Sequence, residues 1–379
     1  MIDPLKFINC MAKKNINFFT GVPDSLLKDL ISCMSENVDK SNYLITANEG
    51  NAIALATGYH LATGNTPLVF MQNSGLGNCI NPLTSLTNKE VYSIPMILLI
   101  GWRGKPGDED EPQHCLPGQI LKSQLDLINI PNFKIDHTSE ISKEIEIVVE
   151  KVKAEQSPVA IICQKDCFKS YKAKKIKKTN MTYPRRHAIE TIVSNVNLND
   201  VILSTTGKAS RELYEIRKNN LSEISDFMTV GSMGHVSSIA LGLEMGRRNN
   251  ETKKNIICID GDGSCLMHMG ALAILGSNKA KRIKYFLINN GVHESVGGQD
   301  TVGFKVDFCK IASACNFEAV FKCKNAEELT GVINSIEYKN HCSFIEVIVG
   351  IEDNDKLVRP KETPKENKET FIKFLNSKL

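Results

Sequence analysis

The feature that most constrains this chain is the alternation of short, β-branched apolar runs with stretches of helix length. The N-terminal half carries Tyr43-Leu44-Ile45-Thr46, Pro67-Leu68-Val69-Phe70-Met71, Pro95 to Ile100 and Pro158 to Ile162. The C-terminal half carries Val201-Ile202-Leu203-Ser204, Asn255 to Ile259, Tyr285-Phe286-Leu287-Ile288 and Ser343 to Ile348. Continuously apolar strands separated by helices suit parallel sheets covered on both faces. The chain is therefore predicted to be α/β with two parallel-sheet domains, and 379 residues give each a full core. Periodicity does not fix the strand order.

Between the two groups, Lys165 to Arg186 is basic and poor in large aliphatics, with Lys169, Lys172, Lys174, Lys175, Lys177 and Lys178. It reads as a solvated linker in preference to a binding patch. The predicted division is a domain over 1–168, the linker over 169–184 and a second domain over 185–379. The charged stretch from Asp353 to Lys368 reads as loosely ordered chain before a last short helix. No internal repeat is visible. With 46 basic and 43 acidic residues the net charge is +3, which gives no case for a nucleic-acid or membrane partner. The N-terminus lacks the apolar run of a signal peptide, and no segment reaches the about 18 apolar residues of a membrane helix. Twelve dispersed cysteines with no C-x-x-C pair read as reduced thiols of a cytoplasmic protein, in preference to a zinc site.

The strongest chemical signal is Gly261-Asp262-Gly263-Ser264, followed 25 residues later by Asn289-Asn290. Each element closes an expected strand, which is where open α/β sheets bind ligands. Gly261 and Gly263 permit a tight turn with uncovered N–H groups. The segment Ser264 to Leu275 reads as a helix whose N-terminus suits a diphosphate. Asp262 offers a carboxylate oxygen, Asn290 an amide oxygen and a nearby carbonyl a third. All-oxygen ligation completed by phosphate is magnesium-like.

These elements resemble the signature of thiamine-diphosphate enzymes of the transketolase and pyruvate-decarboxylase superfamily. The resemblance implies that Asp262, Asn290 and the carbonyl of Val292 ligate Mg2+. A second element, Asn48-Glu49-Gly50-Asn51-Ala52-Ile53-Ala54, resembles the family's acid-bearing helix. It implies that Glu49 hydrogen-bonds the cofactor's pyrimidine ring and assists its proton transfer. A third, Gly231-Ser232-Met233-Gly234-His235, resembles the segment that bends the cofactor, with a carbonyl from Gly231 and a wedge from Met233. Thr206 and Gly207, with Gly261, Gly263, Ser264 and Ser295, are expected around the cofactor as well.

The order of these elements implies a pyrimidine-binding (PYR) domain followed by a diphosphate-binding (PP) domain, without the middle domain of typical pyruvate decarboxylases. That departure points to the short decarboxylases of phosphonopyruvate and sulfopyruvate. Gly21-Val22-Pro23-Asp24-Ser25, Asn73 to Asn78, Gly101-Trp102-Arg103-Gly104 with Gln113-His114, and Asn290 to Gln299 favour the phosphonopyruvate branch. The implied reaction is non-oxidative decarboxylation of phosphonopyruvate to phosphonoacetaldehyde and carbon dioxide, with sulfopyruvate as the alternative substrate. Ser25, Arg103 and Lys105 are candidates for the small anionic 2-oxo acid, and His293 and His114 for proton transfer; Arg103, Lys105 and His114 are expected in one polar loop after a strand. The resemblance further implies a homodimer or higher homo-oligomer with active sites at subunit interfaces. Two other classes compete. A nucleotide-binding module lacks its glycine fingerprint here. A magnesium phosphohydrolase built on Asp260 and Asp262 leaves Glu49 and the paired asparagines unexplained.

Overall fold

The computed structural model describes residues 1–173, 181–220, 225–247, 254–351 and 357–376. Lys174, Lys175, Lys177 and Lys178 of the expected linker, and Asp353 of the charged tail, lie outside them. The chain divides into two compact units, Met1–Ile176 with Ser295–Gln299, and Lys177–Glu294 with Asp300–Leu379.

Six parallel strands form the sheet of the first unit. In spatial order they are Tyr43–Ile45, Phe19–Gly21, Leu68–Gln72, Ile97–Gly101, Val159–Cys163 and Asn132–Ile135. Alternate side chains of each central strand enter opposite cores, because successive Cβ atoms in a strand point to opposite faces. Leu68, Phe70, Ile97, Leu99, Val159 and Ile161 join one core with Phe7, Met11 and Leu30. Val69, Met71, Leu98, Ile100, Ala160 and Ile162 join the other with Ala52, Ile53 and Leu121. Such positions contribute most of the stability, and Leu99→Ala would cost about 2–5 kcal/mol.

The second unit repeats this plan. Its six parallel strands lie in the spatial order Phe227–Met228, Val201–Ser204, Ile256–Gly261, Ile283–Asn289, Ser343–Ile348 and Ala319–Cys323. Counted within each unit in chain order, both sheets run 2-1-3-4-6-5. Val201, Leu203, Cys258, Tyr285 and Phe344 face one core, and Ile202, Ile257, Phe286, Ile345 and Val347 the other.

Three sequence expectations need correction. Four strands of the two six-stranded sheets are not legible in the sequence: Phe19–Gly21, Asn132–Ile135, Phe227–Met228 and Ala319–Cys323. The first and third are only three and two residues long, and the other two have partly exposed positions. The expected helix from Ser264 to Leu275 is two helices, Asp262–Met267 and Gly270–Ser277, broken at His268 (φ −134°, ψ 46°). The break lies where Gly234 packs against Ser264, Met267 and His268. His114 lies in the first turn of the helix Pro112–Leu127, not in a loop, because Pro112 at the first helical position favours the helix start there. All twelve cysteines are unpaired. No helix among the described residues is long and apolar enough to cross a membrane.

Candidate active site

In the second unit, the strand Ile256–Gly261 delivers Asp262 to the start of a helix at the carboxyl end of the sheet. Asp262 is 2% exposed. Its Oδ2 accepts the Thr301 hydroxyl, and the N–H groups of Gly263 and Asn290 face the carboxylate. It forms no ion pair among the described residues. Burial therefore dominates, and pushes its pKa up to about 6.

The next strand ends in two successive side-chain turns. Asn289 Oδ1 accepts the Gly291 N–H at 3.1 Å, and Asn290 Oδ1 accepts the Val292 N–H at 3.1 Å. Asn289 Oδ1 and Asp262 Oδ2 each lie 2.6 Å from where a Cβ on Gly303 would stand, with Thr301 Oγ1 at 2.9 Å. The bare glycine is what lets these oxygens converge. A buried carboxylate without a cation, beside amide and hydroxyl oxygens, fits a hard divalent ion. Among the described residues no group of three or more His, Cys, Asp or Glu is placed to hold a metal; the oxygen set here contains a single acid.

Ser264 ties three segments together. Its Oγ lies 2.8 Å from Thr205 Oγ1 and accepts the Gly234 N–H at 3.0 Å. Thr206 Oγ1 donates to the Val230 carbonyl at 3.0 Å, and Gly207 has φ +108°. In the loop headed by Gly231, Ser232 has φ +51°, a conformation that a non-glycine residue holds only when its surroundings enforce it. A Cβ on Gly263 would stand 2.9–3.0 Å from the His293 ring and 3.5 Å from Met233 Cε. The structure thus brings Gly263, Met233 and His293 together. Burial pushes His293 down to about 4, so its imidazole is neutral near pH 7. Ser295 is exposed, in the short turn Glu294–Val296.

In the first unit, Glu49 opens the helix Glu49–Thr63, and Asn48 caps that helix by accepting the Gly50 N–H at 2.7 Å. Glu49 is 6% exposed. Its Oε2 accepts from Asn78 Nδ2 at 2.8 Å, and its other oxygen lies over Gly75. Its partner is neutral, so burial raises the carboxyl above the ordinary range.

Residues 6–127 match the thiamine pyrophosphate enzyme N-terminal TPP binding domain, and residues 205–347 the corresponding C-terminal TPP binding domain. The chain is 30% identical to the phosphonopyruvate decarboxylase of Streptomyces viridochromogenes, over 100% of this chain and 96% of that protein. The phosphonopyruvate decarboxylase of Streptomyces hygroscopicus is also 30% identical, over 99% and 94%. The sulfopyruvate decarboxylase of Methanosarcina acetivorans is 27% identical, over 97% of each. The chain belongs to the thiamine-diphosphate-dependent decarboxylases. Its two sheets are the PYR and PP domain types of that family, and it decarboxylates a small 2-oxo acid.

The remaining expected residues of the decarboxylase fall in a second polar cluster of the first unit. Arg103 gives Nε to Asp110 Oδ2 at 2.7 Å, Nη2 to Asp110 Oδ1, and Nη1 to Ser25 Oγ at 2.9 Å. Asp110 also accepts the N–H groups of Gly104 and Glu111, both at 2.8 Å. Arg103, a candidate for the anionic substrate in the sequence, is therefore a neutralised, oriented donor. Lys105 Nζ is directed to Gln164 Oε1 at 2.8 Å. His114 keeps Nδ1 without a hydrogen bond, and burial pushes it down to about 4.

Sequence reasoning assigned no role to Asn78, Asp110, Thr301 or Asp24. Asp24 is fully buried, and no hydrogen bond of ordinary geometry closes on its carboxylate, although the N–H groups of Ser25, Leu26 and Leu27 face it. Its pKa is pushed up to about 6 by burial, with Arg103 opposing the shift. The short turn Asn73–Gly75 joins the two clusters. Asn73 exchanges hydrogen bonds with the Arg103 backbone, at 2.8 and 3.2 Å, while Gly75 underlies Glu49. Asp260 is turned inward, accepting from the Tyr285 hydroxyl at 2.6 Å. That removes the second acid which a phosphohydrolase reading requires.

Proposed function

We propose that this decarboxylase converts phosphonopyruvate to phosphonoacetaldehyde and carbon dioxide, with Mg2+ as the companion ion of thiamine diphosphate. The observation that carries the reading is end-to-end similarity, at 30% identity, to two phosphonopyruvate decarboxylases. Asp262, Asn290 and the Val292 carbonyl hold the ion. Thr206, Gly207, Ser264 and the N–H groups of Gly261 and Gly263 would hold the diphosphate, and Gly231, Met233 and Ser295 would contact the rest of the cofactor. Thiamine diphosphate, when bound, supplies a nucleophilic carbon and an electron sink that lets carbon dioxide leave. Glu49, buried beside neutral Asn78 with its carboxyl raised above the ordinary range, would hydrogen-bond the pyrimidine ring and assist its proton transfer. His293 and His114, both neutral, accept and return protons at the substrate. Arg103 and Ser25, with Lys105, hydrogen-bond the anionic tail.

Sulfopyruvate is the second reading, favoured by the relative that is 27% identical over 97% of the chain. Both tails carry tetrahedral oxygens, and Arg103 serves either. Carbon dioxide release from phosphonopyruvate, sulfopyruvate and pyruvate, each with and without thiamine diphosphate and Mg2+, decides between them. Faster turnover of sulfopyruvate replaces the first reading with the second. An assembly of at least two copies belongs to the same reading, and an active monomer in solution removes that part of it.

A further inference from the structure

Behind Asn290, within the second unit, lies a knot of four charges, of which Arg185 and Glu212 are buried and Lys208 and Glu294 half-buried. Arg185 gives Nε and Nη2 to the two oxygens of Glu212, both at 2.8 Å, and Nη1 to Glu294 Oε2. Lys208 Nζ reaches Glu294 Oε1 at 2.9 Å. Arg185 is 5% exposed and Glu212 is fully buried. Two cations and two carboxylates cancel, so the knot carries no net charge. Taking these charges wholly or partly out of water is expensive, and an apolar cluster of the same size stabilises a fold at least as well. The knot therefore calls for a role beyond stability.

Glu294 supplies one. Its Oε2 accepts a further hydrogen bond, from Asn290 Nδ2 at 3.0 Å. An ionised carboxylate only accepts, so it takes the NH2 end of an amide and never the oxygen end. The contact thereby fixes Asn290 Oδ1 on the opposite side, where it receives the Val292 N–H. Arg185 and Lys208 occupy Glu294 in turn, so that its carboxylate neither rotates nor turns toward an ion itself. The neighbouring asparagine is indexed in the same way. Asn289 Nδ2 donates to Glu346 Oε1 at 2.8 Å, and Glu346 Oε2 is held by Lys322 at 2.8 Å.

We infer that Glu294, clamped by Arg185 and Lys208, is the positioning residue that presents the Asn290 amide oxygen to the divalent ion. The inference rests on the proposed reading that Asn290 is an ion ligand. It assigns Glu294 no contact with substrate or cofactor.

The test is calorimetric titration of Mg2+ into the full-length chain with saturating thiamine diphosphate, beside the thermal midpoint of the ion-free protein. Glu294→Gln is expected to weaken Mg2+ by about 10–100-fold, the range for partners that orient a metal ligand. Asn290→Asp supplies the decisive background, because a carboxylate has an oxygen at either end and needs no orienting. There the loss from Glu294→Gln should vanish or reverse. An equal loss in both backgrounds marks a merely structural effect and overturns the inference, as does unchanged affinity in the single variant. Should Glu294→Gln fail to fold, Lys208→Met leaves Arg185 on Glu294 and is expected to weaken Mg2+ by about 3–10-fold; unchanged affinity there overturns the inference equally. A parent chain with no Mg2+-dependent binding of thiamine diphosphate overturns the proposed function itself. Normal parent binding with an unaffected Glu294→Gln variant overturns only the role of Glu294.

Discussion

The two units share one strand order, yet each leaves a different demand at the carboxyl end of its sheet. In both, the third strand in chain order lies beside the first and leads into the site: Asn73–Gly75 in one, Asp262–Ser264 in the other. Each site holds a buried acid that has no cation among the described residues. Glu49 faces a neutral amide, and Asp262 faces a hydroxyl and N–H groups. Other buried acids of the second unit divide: Glu212 pairs with Arg185 and Asp226 with Arg217, whereas Asp260 accepts from the Tyr285 hydroxyl and Asp200 from the Asn255 N–H. Asp262 differs from Asp260 in converging with other oxygens, those of Asn289 and Thr301. A buried carboxylate is relieved either by a proton or by a cation. Glu49, beside a single amide, suits the first, and Asp262, ringed by other oxygens, suits the second. One scaffold thus carries two electrostatic problems, and in the proposed function Glu49 and Asp262 meet them with different partners.

If the demands differ in this way, the two acids fail differently on mutation. Glu49→Gln keeps the shape and the Asn78 contact but removes the exchangeable proton. Its kcat should fall by about 10²–10⁴-fold, with thiamine diphosphate affinity within a few-fold of the parent. Steady-state assay and calorimetry on one preparation measure both. Turnover that survives within a few-fold takes Glu49 out of the chemistry. Asp262→Ala should do the opposite, weakening Mg2+-dependent cofactor binding by about 100-fold or more. Intact ion dependence in that variant ends the contrast between the sheets.

Most of this contrast was legible in the residues, and the part that was not has a physical cause. Glu49, Asp262 and Asn290 stood out because each closes a recognisable strand. The repeated strand order did not, because topology is carried by edge strands as short as Phe227–Met228, which hold almost no pattern. Arg103 was legible as a charge but not as a neutralised one. Its partner Asp110 sits in the acidic run Asp108-Glu109-Asp110-Glu111, and only the folded loop selects one acid of the four. Asn78 and Thr301 act through contacts of long sequence separation, to Glu49 and Asp262, that no local spacing encodes.

Asp24 offers a sharper version of the same electrostatics inside the first unit. Its ordinary pKa of 3.8 is pushed up to about 6 in the fold, with Arg103 and Cys163 as titratable neighbours. A raised acid pKa means that the folded state binds the proton more tightly. The benefit is whole below pH 3.8 and is lost as pH rises through about 6. Asp24→Asn removes the cost of ionisation. It should be more stable than the parent by on the order of 2–3 kcal/mol at pH 8, and by clearly less at pH 5. Urea midpoints at the two pH values check this. An equal gain at both would mean that Asp24 does not titrate as its burial requires.

The smallest expected effect on stability is also the finest probe of how Glu49 is aimed. A Cβ on Gly75 would stand 2.4 Å from Glu49 Oε1 and 2.6 Å from its Cδ and Cγ. What it meets is the end of a flexible side chain, not backbone, so Glu49 yields by changing rotamer. Gly75→Ala should therefore cost only about 1 kcal/mol in stability. It separates Glu49 from Asn78, however, and a carboxyl displaced by about 1 Å costs up to about 10²-fold in rate. The expected signature is a fall in kcat of about tenfold or more, with a thermal midpoint and an Mg2+ affinity near those of the parent. Gly263→Ala, at the matching place in the other sheet, meets the His293 ring at 2.9–3.0 Å, beside the residues assigned to the ion. It should disturb cofactor affinity as well as rate. If the Gly75 variant instead loses Mg2+ affinity along with kcat, the acid beneath it does not act on protons alone, and the division of labour between the two sheets fails.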